Sequence, residues 1–111
     1  MRIPDDAVIP DGKITLYLLV PKAKDDKSQF LAQAGFTQNN PDLLKTAIRE
    51  LANNVEAIPD IQNEYGLFFL VIGEITGLDN RQLSVTTVWL QRAIDRKFQF
   101  ITLKPYKEKK S

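Results

Sequence analysis

Apolar residues recur at helical spacing over roughly the first half of this chain and alternate over the second, and the change falls at Asn63-Glu64-Tyr65-Gly66. The block that follows, Leu67 to Ile72, reads as the central strand of a sheet. Before the junction, Ile3 to Pro10 reads as an extended arm between two prolines, each of which biases its predecessor away from helix. Asp11 is placed to cap a short helix over Lys13 to Leu19, where Ile14, Leu16, Tyr17 and Leu18 give a broad apolar face and Pro21 ends the element. A second helix is expected over Lys27 to Ala34, with Asp25 and Asp26 as N-cap candidates, Phe30, Leu31 and Ala34 as its stripe, and Gly35 as a left-handed C-cap. The third helix has the clearest signature: Asn40 as N-cap, Pro41 at the first helical position, then Leu43, Leu44, Ala47, Ile48 and Leu51. Val55 to Gln62, carrying Ile58-Pro59-Asp60, reads as a loop.

After Gly66 the elements are strands. Leu67 to Ile75 is one, and Gly73 inside it suggests a bulge or the close approach of another backbone. Gly77 to Asn80 is a turn, so Gln82 to Arg92 is expected to return antiparallel through a hairpin. Alternation there puts Leu83, Val85, Thr87 and Trp89 on one face and Ser84, Thr86, Val88 and Leu90 on the other. Asp95-Arg96 makes a second turn, and Lys97 to Lys104 a third strand, with Phe98, Phe100, Thr102 and Lys104 on one side. Helices followed by strands predict an α+β domain: about three N-terminal helices on one face of an antiparallel meander of three strands, or four.

The 111 residues suit a single domain, with the body over 1–106 and a basic tail over 107–111. No stretch has the length of a membrane span or the form of a signal peptide, so a cytoplasmic location is the default expectation. The chain has no cysteine and no histidine. Thiolate chemistry, the commonest zinc ligand and the commonest general base are thereby excluded, and any catalysis falls to carboxylates, Lys, Arg, Tyr or hydroxyls, with no cofactor or metal expected. The net charge of +1 conceals a split: residues 1–80 carry 7 basic and 12 acidic side chains, residues 81–111 carry 8 and 2. A basic C-terminal part suits an anionic ligand such as RNA, a small acidic partner protein, or plain solvation.

Candidate chemistry lies on the sheet. Thr87 and Trp89 on the middle strand and Thr102 and Lys104 on the last are candidate substrate-binding positions on an outer face, because aromatics beside cations suit single-stranded nucleic acid. The plainer account makes Trp89 core and the threonines β-formers. Lys27 opens a helix, where a cation is unfavourable for the dipole unless an anion is bound there or the neighbouring aspartates pair with it. Glu64 and Tyr65 sit at the loop-to-strand junction, and Arg81 beside the hairpin turn is within reach of a phosphate.

With these residues in view, the chain resembles a family of small bacterial domains of unknown function, frequent in cyanobacteria. The resemblance rests on the opening Ile3-Pro4 to Pro10, the Lys-containing second helix, Asn63-Glu64-Tyr65-Gly66, Val85 to Trp89, and Phe100 to Pro105. Related domains are similar to the C-terminal tips of polymorphic toxins, and their layout is similar to the barnase, EndoU, colicin and RelE ribonucleases. The resemblance implies interest in Lys27, Tyr65, Trp89 and Thr102; Arg81 and Lys104 are added on charge. It implies metal-independent RNA cleavage by the 2′-hydroxyl, and in a histidine-free site these roles fall to Glu64 or Lys27 as base, Arg81 and Lys104 as charge stabilisers, and Tyr65 or Thr102 as hydrogen-bond donors. The competing expectation is a non-catalytic module that binds a protein through its sheet edge or basic tail.

Overall fold

The computed structural model describes residues 1–20 and 27–106. Over these residues three helical segments precede a four-stranded antiparallel sheet, and a single 3-10 turn, Leu78–Asn80, joins its second and third strands. Helix α1 covers Asp11–Lys13 and continues as a π-helical turn over Ile14–Leu18. Helices α2 and α3 cover Ser28–Ala32 and Pro41–Asn54. The strands are β1 (Ile58–Asn63), β2 (Gly66–Thr76), β3 (Gln82–Arg92) and β4 (Phe98–Pro105), paired in sequence order. β2 therefore lies inside the sheet, as the Leu67–Ile72 block predicts, and the β2–β3 hairpin holds one register from Gly66↔Arg92 to Thr76↔Gln82.

Several expectations need correction. Val55 to Gln62 is not all loop, since Ile58–Asn63 pairs with β2 as an edge strand. Its sequence hides this: every residue of β1 is exposed, so none of the apolar alternation of a half-buried strand appears, and Pro59 interrupts the pattern. The first helix begins at Asp11 instead of being capped by it. Asn40 does precede α3, but its side chain turns back to the preceding loop, accepting from the Thr37 amide and donating to the Gly35 carbonyl. Asp25 and Asp26, the expected caps of α2, lie outside the described residues, as does the tail 107–111. Gly35 adopts φ +86°, the left-handed turn expected after α2, and Phe36 folds back with its amide on the Leu31 carbonyl.

One face of the sheet carries the core. Phe69, Val71, Ile75, Leu83, Val85, Trp89, Phe98, Phe100 and Leu103 are buried on it against Ile14, Leu18, Leu31, Leu44, Ile48 and Leu51 of the helices. The packing is tight at Gly73, where an added methyl would meet the Leu51 side chain of α3 at 2.7 Å. The close neighbour is thus a helix side chain, not another backbone. Trp89 and Phe100 meet edge-on with ring centroids 5.4 Å apart.

Thr87 and Trp89 are both fully buried on this inner face, which removes them as an exposed binding platform. The reason is pairing in the core: Thr87 Oγ1 donates to the Val71 carbonyl and accepts from Trp89 Nε1, both at 2.9 Å. The register break in β4 decides which of its residues face outward. Trp89 pairs with Phe100 but Val88 pairs with Thr102, so Ile101 is an extra residue and the alternation restarts after it. Phe98, Phe100 and Leu103 consequently all point inward, while Thr102 and Lys104 point to the other face.

The N-terminal arm closes part of the β4 edge. Val8 bridges to Gln99 in parallel, with its amide on the Phe98 carbonyl at 2.9 Å and its carbonyl accepting from the Phe100 amide at 2.8 Å. Arg49 of α3 holds the arm through the Asp5 and Ala7 carbonyls. The arm turns into α1 before reaching Thr102.

Candidate phosphate-binding site at the edge of strand β4

Where the arm leaves the edge of β4, side chains from α1, the start of α2 and β4 converge. Lys27 precedes the first turn of α2, and its carbonyl accepts from the Leu31 amide. Its half-buried side chain reaches over the edge of the sheet, where Nζ donates to Thr102 Oγ1 at 3.0 Å and, more weakly, to Tyr17 Oη at 3.4 Å. The same ammonium lies 5.3 Å from the centroid of the Tyr17 ring, and Lys13 Nζ lies 5.5 Å from it. Among the described residues no carboxylate lies within ion-pair distance of Lys27. Lys104 stands two residues beyond Thr102 on the same face and is exposed.

A lysine ammonium has three protons to donate. Two are directed at Thr102 and Tyr17, and the third has no partner among the described residues. Thr102 accepts from Lys27, so its own proton is left to donate. The result is a cationic seat with donors at its rim, chemistry suited to a phosphate or a carboxylate.

Lys27, Thr102 and Lys104 are therefore brought to one edge of the sheet, and the other expected positions are not. Arg81 stands at the start of β3, with its guanidinium 3.4 Å from the Gln33 carbonyl. Glu64 and Tyr65 stand in the β1–β2 turn at the opposite end of the 11-residue β2, roughly 33 Å from Arg81 along the strands. Glu64 and Tyr65 are exposed and line a separate shallow cleft with Leu90, Arg92, Ala93 and Ile94. The Asn63 side chain fixes that turn by accepting from the Tyr65 amide at 2.9 Å. No single site holds all five expected catalytic residues, because the two ends of a long hairpin cannot meet.

Tyr17 is the member of the cluster that sequence reasoning missed. It reads as one more apolar residue in Ile14 to Leu18, yet Ile14 and Leu18 take the buried positions and leave Tyr17 partly buried at the edge of the core. The usable signal was the polar tip of a tyrosine beside the stripe, where an amphipathic ring commonly sits.

The family model described as "Domain of unknown function (DUF6883)" matches residues 3–107. The chain belongs to this family. No curated protein matches the DUF6883 chain in sequence. Among solved structures, it is similar to a chain of the "Contact-dependent growth inhibition toxin - immunity protein complex from Klebsiella pneumoniae 342". The TM-score is 0.64 at 15% identity, covering 93% of this chain and 96% of that one. At that identity the likeness is one of fold. None of the described helices of the DUF6883 chain is long and apolar enough to cross a membrane, and no three carboxylates among the described residues gather in a metal-binding cluster.

Proposed function

We propose that this DUF6883 domain is a toxin-type domain that cleaves RNA without a metal, with Lys27, Thr102 and Tyr17 forming the seat of the scissile phosphate. The observation that carries this is the meeting of Lys27 and Thr102, 75 residues apart in sequence, at a 3.0 Å hydrogen bond. In the reaction the 2′-oxygen attacks phosphorus as its proton passes to solvent water, the bond to the 5′-oxygen breaks, and that oxygen takes up a proton from solvent water. The products are a 2′,3′-cyclic phosphate and a 5′-hydroxyl. Charge grows on the non-bridging oxygens in the transition state, and a fixed ammonium with a hydroxyl donor beside it stabilises that charge more than the ground state. Lys104, on the same face, is placed to attract the neighbouring phosphate. The fold of a chain from a toxin–immunity complex supports the antagonistic role, and a small acidic partner protein could set a carboxylate on the same seat.

The test is incubation of the purified chain with single-stranded RNA in the presence of a chelator. Fragments ending in 2′,3′-cyclic phosphate are expected, and they should disappear in Lys27→Ala and Thr102→Ala variants whose melting is unchanged. Intact RNA after incubation with folded wild-type protein would sink the proposal.

A further inference from the structure

The face of the sheet turned away from the helices is apolar and has no described element packed on it. Its rows run Ile58–Leu70–Val88–Thr102 and Phe68–Leu90–Gln99, with Ile72 beside Thr86 and Lys104. Phe68, Leu70, Ile72, Val88 and Leu90 are only partly buried, in contrast to the residues between them on the inner face. At the hairpin end the surface continues through Tyr65 and Ile94, which are 65% and 91% exposed. An isolated surface leucine needs no explanation, but an apolar patch that runs from Ile58 of β1 across β2 to Val88 and Leu90 of β3, rimmed by Gln99, Thr102 and Lys104 of β4, marks a contact surface.

The charges beside this apolar middle are divided. The β1–β2 hairpin carries Asp60, Glu64 and Glu74 and no basic residue. On the β3 and β4 side Arg92 is paired with Asp95, which leaves Arg96, Lys97 and Lys104 as the net positive charge, and Lys27 adds to the β4 edge; Arg81 is turned to the Gln33 carbonyl beside α2. A uniformly acidic partner, RNA included, would meet repulsion over the β1–β2 half. Aliphatic side chains also give bases nothing on which to stack. A surface that reads acidic, apolar, basic from one edge to the other is complementary to itself under a two-fold axis along the strands. That axis sets the β4 side of one copy over the β1–β2 side of the other. Strand addition at the free edge of β1 is disfavoured, because Pro59 and the register break between Pro59 and Gln62 spoil its hydrogen-bonding row.

We propose that two copies of this chain associate through this face, with Leu70, Val88 and Leu90 at the centre of the contact and Lys104 of each copy directed to the acidic half of the other. Four strands about 4.8 Å apart and some six residues at about 3.4 Å give a footprint of roughly 400 Å² on each copy, about half that of a standard stable interface, so the dimer is a weak, transient one. The proposal shares Lys104 and the Thr102 edge with the ribonuclease reading, but self-association is measured without RNA, so the failure of one is distinguishable from the failure of the other.

Sedimentation velocity of the purified chain over about 1–500 µM, a range that spans weak self-association, tests it. The expected result is a concentration-dependent shift from monomer to dimer, weakened by raising the salt. Leu70→Glu should abolish it. Lys104→Glu should weaken it at least tenfold, and Lys104→Glu with Glu74→Lys should recover it. Leu70→Glu changes a partly exposed residue, and unchanged melting at low concentration separates loss of contact from loss of fold. A wild-type chain that stays monomeric throughout, or a dimer untouched by Leu70→Glu, overturns the proposal. So does a monomer that binds an RNA oligonucleotide or an acidic protein through Leu70 and Val88.

Discussion

Lys27 Nζ donates to Thr102 Oγ1 at 3.0 Å, joining the start of the second helix to the last strand just beyond the point where the N-terminal arm leaves the β4 edge. The pair is partly exposed, so it contributes little to stability, on the order of 1 kcal/mol or less. Its effect on catalysis should be far larger. Lys27→Met and Thr102→Val are each expected to lower RNA cleavage about 10²- to 10³-fold, the usual cost of removing one transition-state donor. Thr102→Ser keeps the hydroxyl and should stay within several-fold of wild type. Single-turnover cleavage rates together with thermal melts check both halves; equal losses in Thr102→Ser and Thr102→Val would show that the hydroxyl is not the operative group.

Thr87 is the polar residue on which the inner face depends. Its hydroxyl serves both the Val71 carbonyl and the Trp89 indole, and all three groups are buried. Thr87→Val preserves shape but strands the indole N–H in the core, at a cost of about 1–3 kcal/mol. Thr87→Ser keeps both hydrogen bonds and loses only a methyl, about 1 kcal/mol. Urea denaturation of the two variants gives the comparison, and equal destabilisation would mean that the methyl, not the hydroxyl, matters.

What could be read in the sequence follows from where the periodicity is undivided. The Leu43, Leu44, Ala47, Ile48, Leu51 spacing and the Asn40-Pro41 start locate α3 because that helix has one buried face and ordinary chemistry at its start. β3 is likewise found to the residue. The face assignment was not legible, since Thr87 and Trp89 alternate with equally apolar Val88 and Leu90, and a sheet apolar on both sides gives period two no direction. The bulge at Ile101 inverted half of β4 for a similar reason: an extra residue leaves no mark in composition. Lys27 and Thr102 were legible as separate oddities, a cation at a helix start and a hydroxyl on the last strand. Their meeting depends on the path of the chain between them, and that is a tertiary fact.

The β3–β4 turn should be sensitive to acid. Asp95 accepts from Arg92 Nε at 3.1 Å and from the Lys97 amide at 3.0 Å, and also pairs with Arg92 Nη2. The guanidinium first, and the amide after it, hold the carboxyl below the usual aspartate range. A pKa lowered by folding gives stabilisation that is present above the unfolded value, about 3.9, and is lost as pH falls through the folded value. The turn should therefore loosen only on the acid side. NMR titration of the Asp95 carboxyl should give a midpoint below that of an aspartate in a denatured peptide. Asp95→Asn should flatten the acid limb of the stability profile and leave its behaviour near neutrality unchanged in slope. A midpoint at or above the peptide value would refute the assigned pairing.

Gly66 closes the β1–β2 turn, and both its backbone and its neighbours refuse a side chain. Its φ is +144°, and a methyl placed there would sit 2.0 Å from the Gln91 carbonyl oxygen and 2.9 Å from the Ala93 amide nitrogen, both fixed by the β2–β3 pairing. Backbone strain of about 1–3 kcal/mol adds to a clash that only a shift of the hairpin relieves, so Gly66→Ala should cost more than about 3 kcal/mol. Gly73→Ala meets only the far end of the flexible Leu51 side chain, at 2.7 Å, and should cost about 1–3 kcal/mol as the core adjusts. Gly12→Ala, in the first helical turn with nothing nearer than 4.0 Å, should be neutral or stabilising by up to about 1 kcal/mol. Thermal melting of the three variants ranks them, and an order in which Gly66→Ala is the mildest would contradict the hairpin geometry described for this end of the sheet.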